Sequence, residues 1–137
     1  MTSPLLLDTC ALIWSTSTGE APKLRAHLLA AYEAAIPIWI SPISAWEIGT
    51  LAALGRIGMT RPVLAWFDEA MSKSGARLAD LGARVLVASS ERPGHLHRDP
   101  ADRIIVATAR EFGLRIVTRD RKILDYAAQG HVLALEC

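Results

Sequence analysis

A run of three leucines that ends at an acidic residue constrains the fold of this chain more than any other feature. Leu5–Leu7 are apolar at every position, and a strand without alternation is typical of a parallel sheet that is covered on both faces. Further strands are predicted at 36–40, 114–118 and 131–135, with a short edge strand at 78–81. Helices are predicted at 22–35, 44–54, 62–73, 83–91, 100–112 and 122–128. This alternation favours a three-layer α/β domain with right-handed crossovers.

Two acidic residues follow predicted strands. Asp8 comes directly after the leucine run, and Asp120 follows the strand at 114–118. Sites in open α/β sheets lie outside the carboxyl ends of the strands, so both carboxylates are expected at that edge. A single acidic residue in such a loop is more often a helix cap or part of an Asx turn, and this alternative stays open for each of them taken alone.

A third acidic residue is placed by the helix predicted over 100–112. Asp99 is expected to cap this helix, Pro100 suits its first position, and Gly113 suits the residue after its end. The apolar stripe of the helix leads back by one turn to Asp102, which is therefore expected to point into the molecule. The stripe consists of Ile105 or Val106, Ala109 and Phe112. An ionised carboxylate in that position needs a partner, because burying it alone is costly.

Glu47 has two interpretations. Apolar residues at positions i−4, i+4 and i+7 would place its carboxylate on the buried side of the predicted helix. They are Ile43, Leu51 and Leu54. The alternative is a capping box, because Ser44 precedes Glu47 by three residues and fits the pattern S-x-x-E. In that case Glu47 only accepts a hydrogen bond from the backbone N–H of Ser44, and the segment alone leaves both interpretations open.

The four carboxylates of Asp8, Glu47, Asp102 and Asp120 all fall near strand ends or helix starts. If they share a pocket, they repel each other, and their pKa values rise unless a cation neutralises them. Oxygen ligands suit Mg²⁺ or Mn²⁺, whereas no His or Cys is spaced for a zinc site. A carboxylate-bound metal of this kind is typical of phosphodiester cleavage by metal-activated water.

Four segments of the chain extend this interpretation, because they occur in the order found in one protein family. They are Leu6-Leu7-Asp8-Thr9, Ser44-Ala45-Trp46-Glu47-Ile48, the stretch His97-Arg98-Asp99-Pro100-Ala101-Asp102-Arg103 with residues 104–109 after it, and Val117-Thr118-Arg119-Asp120. With these segments the chain resembles PIN-domain ribonucleases of the VapC type, the toxins of bacterial type II toxin–antitoxin pairs. The resemblance spans nearly the whole chain. It implies a single three-layer α/β/α PIN-like domain over residues 1–137, with a central and mostly parallel sheet.

The resemblance also implies an activity, that of a metal-dependent endoribonuclease, which is a hydrolase of RNA. The family's four acids correspond to Asp8, Glu47, Asp102 and Asp120, which would hold Mg²⁺ or Mn²⁺ and carry the catalysis. Thr118 matches a hydroxyl residue usually found beside the last acid. A homodimer and a VapB-like antitoxin, whose tail enters the acidic groove, are implied as partners. The alternatives are a PIN-like scaffold that binds RNA or protein without cutting, against which the intact acid quartet argues, and a metal-dependent DNA nuclease.

Residues beside the four acids have secondary roles in this hypothesis. Asp99 could hold a metal-bound water in addition to its capping role, and Thr9 directly follows Asp8. Arginines next to the acids are expected to contact phosphate groups, although some could instead pair with the acids or face solvent. These arginines are Arg98, Arg103, Arg119 and Arg121.

Cys10 and three of the four tryptophans are expected in the core. Cys10 stands where the family more usually has a polar residue, and a small buried side chain is the favoured interpretation. The four tryptophans, which include Trp14, could stack on bases, but the apolar patterns around the other three favour core packing. These three are Trp39, Trp46 and Trp66.

Composition limits the alternatives only weakly. A chain of 137 residues is the size of one domain, and its net charge of +1 predicts no strong overall attraction to polyanions. Two cysteines are too few for a disulfide framework, which favours a reducing cytoplasmic setting. No signal peptide is visible at the N-terminus, and the most apolar stretch, 34–46, contains two prolines and is too short to cross a bilayer.

Overall fold

The computed structural model describes residues 3–16, 21–91 and 99–137. Within these ranges the chain forms five strands and seven helices. The strands are Leu5–Leu7 (β1), Ile38–Ile40 (β2), Arg77–Leu78 (β3), Arg115–Thr118 (β4) and Leu133–Glu136 (β5). The helices are Thr9–Ser15 (α1), Pro22–Glu33 (α2), Pro42–Ala53 (α3), Val63–Ser74 (α4), Ala83–Ala88 (α5), Pro100–Phe112 (α6) and Arg121–Ala128 (α7). No helix in the described part of the chain is both long and apolar enough to cross a membrane.

The five strands form one sheet in the order β3-β2-β1-β4-β5, and every neighbouring pair is parallel. The leucine run is its central strand, with Leu5 in register with Ile38 on one side and Arg115 on the other. All three leucines are at most 1% exposed, as the continuous apolar pattern predicts. The sheet expected to be mostly parallel is parallel throughout.

Helices cover both faces of the sheet, which confirms the predicted three-layer α/β/α architecture. Leu5 and Leu7 point to one face, where they pack with side chains of α1, α2 and α4, namely Leu12, Leu24 and Phe67. Leu6 points to the other face, where it packs with side chains of α6 and α7, namely Ile105 and Ile123. Successive strand residues alternate between faces, so the three leucines serve two cores.

The starts of two helices, α1 and α3, depart from the sequence prediction by more than one residue. Helix α1 was not predicted, and it begins because Asp8 caps it and accepts a hydrogen bond from the N–H of Ala11. Helix α3 begins two residues earlier than predicted, at Pro42, with Ser41 as its cap. Ser44 therefore lies inside the helix, and the capping-box interpretation of Glu47 is wrong. The edge strand β3 is also shorter than the predicted 78–81 and starts one residue earlier.

Three large side chains that were expected to be buried are exposed, Trp46 by 57%, Leu54 by 63% and Phe112 by 46%. In α3 the buried residues are Ser44 and Ile48, and Trp46 is two positions from each, so it points to the other side of the helix. Phe112 lies in the last turn of α6, beside Pro4 just before β1, where the sheet ends. The apolar stripes of α3 and α6 are thus shorter or rotated relative to the predicted ones.

Candidate active site

A pocket of about 280 Å³ lies at the carboxyl ends of β1 and β4. All four predicted site acids line it, and so do four neighbours on α1 or next to Asp120. The lining residues are Asp8, Thr9, Cys10, Trp14, Glu47, Asp102, Arg119 and Asp120. Acids that are up to 112 positions apart in the chain therefore share one small space, at the edge where open α/β sheets bind ligands.

Asp8 is held by both of its carboxylate oxygens. Oδ1 accepts a hydrogen bond from the N–H of Ala11 at 2.8 Å, and Oδ2 accepts one from the hydroxyl of Thr118 at 2.5 Å. Burial raises the pKa of Asp8 to about 6, although these two hydrogen bonds oppose the rise, and the charges of Asp120 and Glu47 add to it. Asp8 therefore caps α1 and lines the pocket with the same side chain, so the two interpretations of this residue are compatible.

Thr118 connects Asp8 to Asp120. Its hydroxyl donates to Asp8 and accepts a hydrogen bond from the backbone N–H of Asp120 at 2.9 Å. Asp120 in turn caps α7, since its Oδ1 accepts from the N–H groups of Lys122 at 2.8 Å and Ile123 at 3.2 Å. The buried hydroxyl thus keeps the ends of β1 and β4 in a fixed relation, and the two carboxylates with them.

A second hydroxyl contact, made by Thr9, joins α1 to α3. Its hydroxyl is hydrogen-bonded to that of Ser44 at 2.9 Å, and both residues are buried. Ser44 precedes Glu47 by three positions, almost one helical turn, so the same helix face that meets α1 brings Glu47 to the pocket. Glu47 is partly buried there. Thr9 is therefore placed to position an acid, which its sequence position alone does not reveal.

Asp99 and Asp102 have different surroundings at the start of α6. Asp99 is exposed and caps the helix, with Oδ1 accepting from the N–H groups of Ala101 at 2.9 Å and Asp102 at 3.3 Å, so its predicted capping role is confirmed. Asp102 lines the pocket, and Asp99 is not among its lining residues. The pKa of Asp102 is raised to about 8, mainly by burial and to a smaller extent by the negative charges of Asp99, Asp120, Glu47 and Asp8.

The donor set of the pocket fits a hard divalent cation. Its carboxylates supply only oxygen ligands, and two of them have pKa values raised by burial and by neighbouring negative charges, which a bound cation would reverse. In the ranges that the structure describes, no three His, Cys, Asp or Glu side chains are placed so that together they could hold a metal ion. A cation here would therefore use some of the carboxylates together with water, as Mg²⁺ commonly does.

Of the four arginines predicted near substrate, only Arg119 is among the pocket's described lining residues. Its guanidinium carbon lies 4.0 Å from the ring centre of Trp14, and its Nε donates to the carbonyl oxygen of Cys137 at 2.9 Å. Arg121 instead lies 3.5 Å from a carboxylate oxygen of Glu136. Two arginines remain: Arg103 does not line the pocket, and Arg98 lies outside the described residues.

Trp14 and Cys10 both lie on α1 and line the pocket. Trp14 is partly buried and forms one wall of the pocket. Its role follows from its position in α1, a helix that the sequence analysis missed. Cys10 is exposed, so its expected burial is wrong. Partial burial of its sulfur and the charges of Asp8 and Glu47 raise the pKa of the thiol to about 11, which keeps it protonated at neutral pH.

Comparisons with known proteins agree with the fold. The model of the PIN domain family matches residues 5–129 of this chain. Ribonuclease VapC22 of Mycobacterium tuberculosis strain H37Rv is 34% identical to it over 123 residues, which are 90% of this chain and 91% of that protein.

Solved structures with this fold include two from bacterial complexes. A chain of VapBC2 from Rickettsia felis, bound to a promoter DNA fragment, superposes with a TM-score of 0.71 at 14% identity and covers 96% of this chain and 97% of its own. A chain of a toxin–antitoxin complex from Klebsiella pneumoniae has a TM-score of 0.62 at 23% identity, over 96% of this chain and 95% of its own. At these identities the superpositions show the shared fold.

Proposed function

This chain belongs to the PIN-domain family and is of the VapC type, and on that premise we propose that it is a metal-dependent endoribonuclease, the toxin of a toxin–antitoxin pair. The observation that carries the proposal is the convergence of Asp8, Glu47, Asp102 and Asp120 on one pocket at the carboxyl edge of the sheet. A relative that shares 34% of its residues is a ribonuclease. Four carboxylates that repel each other cost stability, and such a cost is typical of a functional site.

Asp8, Glu47, Asp102 and Asp120 would hold the metal, which we propose to be Mg²⁺ or Mn²⁺, directly or through water. When bound, the metal supplies an acidified water and offsets the negative charge that develops on the phosphate. Asp8 contributes a carboxylate whose orientation is set by Thr118 and by the cap of α1. Asp99 would act through α6, whose first turn it caps, and so would position Asp102.

The protonation of Asp102 couples this site to pH. With a pKa of about 8, its carboxyl group holds a proton at neutral pH in the metal-free protein. Cation binding favours the ionised form, so loading the pocket releases that proton. Cation affinity should therefore fall as the pH is lowered from 8, and fall more steeply below pH 6, where Asp8 also takes up a proton.

The partners are proposed on the same premise. The substrate is RNA, and the regulatory partner is an antitoxin of the VapB kind, since the structural relatives include VapBC2 and a toxin–antitoxin complex. We further propose that the chain acts as a single domain in the cytoplasm and pairs with a second copy of itself. Sedimentation at micromolar concentration should then show a dimer, and a monomer there would contradict that part of the proposal.

Metal-dependent cleavage of RNA tests the main proposal. The purified protein should cut a single-stranded RNA in Mg²⁺ or Mn²⁺ and stop when EDTA is added. Asp102→Asn should abolish cleavage, whereas Asp68→Asn, which removes an exposed carboxylate on α4, should leave it unchanged. Cleavage that survives chelation contradicts the metal mechanism. Retained RNA binding without cleavage in either metal would instead identify the chain as a non-cutting scaffold.

A further inference from the structure

Among the four arginines next to the site acids, the geometry points to one. We propose that Arg119 binds an RNA phosphate at the rim of the acidic pocket, and that Trp14 is the positioning residue that holds its guanidinium there. The inference rests on the proposed nuclease function and identifies how the substrate's backbone is held next to the four carboxylates. It assigns Trp14 a role that depends wholly on Arg119.

Arg119 is fixed from two sides although it is an exposed residue. Its guanidinium carbon is 4.0 Å from the centre of the Trp14 ring, well within the range of a cation–π interaction. Its Nε donates a hydrogen bond to the carbonyl oxygen of Cys137, 2.9 Å away. These contacts come from α1 and from the residue after β5, so two parts of the chain that are remote from Arg119 in sequence define its side-chain orientation. An arginine restrained in this way loses less conformational entropy when it binds a ligand.

The remaining donors of Arg119 suit a phosphate. With Nε engaged, its two Nη nitrogens carry four N–H groups in a planar fork, the geometry that pairs with two phosphate oxygens. The contacts with Trp14 and Cys137 hold the guanidinium at the rim of the pocket.

The positive charge of Arg119 offsets the repulsion between the acidic pocket and an RNA phosphate. Four carboxylates repel a phosphodiester, and the described lining of the pocket contains a single basic residue, Arg119. Arg121 is two positions further on and is engaged with Glu136 at 3.5 Å. A bound metal would offset the negative charge inside the pocket, and Arg119 would attract the backbone at its edge. The two functions are separable, so removing Arg119 should weaken RNA binding and leave the chemical step nearly intact.

Steady-state cleavage of a fluorogenic single-stranded RNA of mixed sequence provides the first test. Arg119→Ala should raise KM by about ten-fold or more, the usual effect of losing a charged hydrogen bond, with kcat within about three-fold. The slope of log KM against log salt concentration should fall by about 0.7, the value for one phosphate contact on a single strand. Arg119→Lys, which keeps the charge and loses the fork, should give an intermediate KM.

Arg121→Ala is the matched control, because it removes the same charge from an exposed arginine two residues away that does not line the pocket. Its KM should stay within about two-fold of the unmodified protein. An unchanged KM and salt slope in Arg119→Ala would overturn the inference. An equal rise of KM in Arg121→Ala would also overturn it, since the effect would then come from net charge alone.

A double-mutant cycle tests the role of Trp14. Trp14→Leu should raise KM in the unmodified protein but have no further effect in the Arg119→Ala background, and Trp14→Phe should retain most of the function. Equal effects of Trp14→Leu in both backgrounds would show a merely structural role and refute the positioning claim. If the unmodified protein cuts no RNA, the proposed function fails. Anisotropy with the same RNA, fluorescein-labelled, then judges the inference alone: weaker binding of Arg119→Ala than of Arg121→Ala supports it, and equal binding overturns it.

Discussion

Replacing Asp102 by asparagine should stabilise the metal-free protein, and the gain should grow with pH. Burial and the surrounding carboxylates raise the pKa of Asp102 from 3.8 to about 8 in the folded chain. Asparagine has nearly the same shape and cannot ionise. The substitution therefore removes the cost of placing a negative charge among Asp8, Glu47 and Asp120 while it leaves the packing of α6 in place.

The size and sign of the effect follow from proton linkage. Between pH 4 and pH 8 the unfolded chain ionises Asp102 while the folded chain keeps it protonated, so rising pH favours the unfolded state of the unmodified protein. At about 1.4 kcal/mol per pH unit, the full difference in the free energy of unfolding would approach about 6 kcal/mol. Because the side chain is partly accessible to water, which screens its charge, we expect about 2–4 kcal/mol at pH 8 and almost none at pH 4.

Urea unfolding followed by circular dichroism, in EDTA at pH 4.5, 6, 7 and 8.5, measures this difference. The curves of the two proteins should converge at the lowest pH and separate progressively up to pH 8. Asp68→Asn on α4 serves as the control, because its carboxylate is exposed and does not line the pocket. A constant difference across this pH range, or a less stable Asp102→Asn at pH 8, would refute the argument that Asp102 is forced into a negative and desolvated pocket.

Three further outcomes are expected. Asp99→Ala should lower the free energy of unfolding by about 0.5–2 kcal/mol, because two backbone N–H groups in the first turn of α6 lose their acceptor. Asp99→Ser should recover most of this stability. An unchanged thermal unfolding curve of Asp99→Ala would contradict the capping role. Thr118→Val should lower the free energy of unfolding by about 1–3 kcal/mol and raise the pKa of Asp8 further, because it deletes the hydroxyl that donates to that carboxylate. Thr118→Ser, which keeps the hydroxyl, is the control. Urea unfolding and NMR titration measure the two effects, and a lower pKa of Asp8 would contradict the prediction. Mg²⁺ or Mn²⁺ at millimolar concentration should raise the Tm of the unmodified protein and raise the Tm of Asp102→Asn much less. Equal Tm shifts of the two proteins in calorimetry would exclude Asp102 from the cation site.

Local signals were sufficient for much of the fold. The leucine run, the Asp99-Pro100 start of α6 and its end at Gly113 are short-range patterns, and each produces the predicted element. Asp8 and Asp120 could also be placed, because an acidic residue after a parallel strand has to lie at the carboxyl edge of the sheet. Their capping bonds agree with the same patterns.

Other features depended on how the elements pack. The start of α3 at Pro42 rotates its buried face to Ser44 and Ile48, and this decides that Trp46 points outward. Helix α1 is only seven residues long, too short for periodicity to reveal it, and is stabilised by its cap and by contacts with the sheet. A helix's exact phase needs its first residue, which sequence patterns locate only within a few positions.

The sequence by itself determined which residues carry negative charge, which strand is buried on both faces and which end of the sheet bears the acids, since these follow from residue types and from short apolar patterns. The tertiary structure alone decided that Thr118 connects Asp8 to Asp120, that Thr9 meets Ser44, and which arginine faces the pocket. The Thr9–Ser44 and Thr118–Asp8 contacts join residues 35 and 110 positions apart, and the arginine is selected among neighbours of equal charge. Their formation depends on the order of strands in the sheet and on the direction of each side chain, quantities that only the folded chain defines.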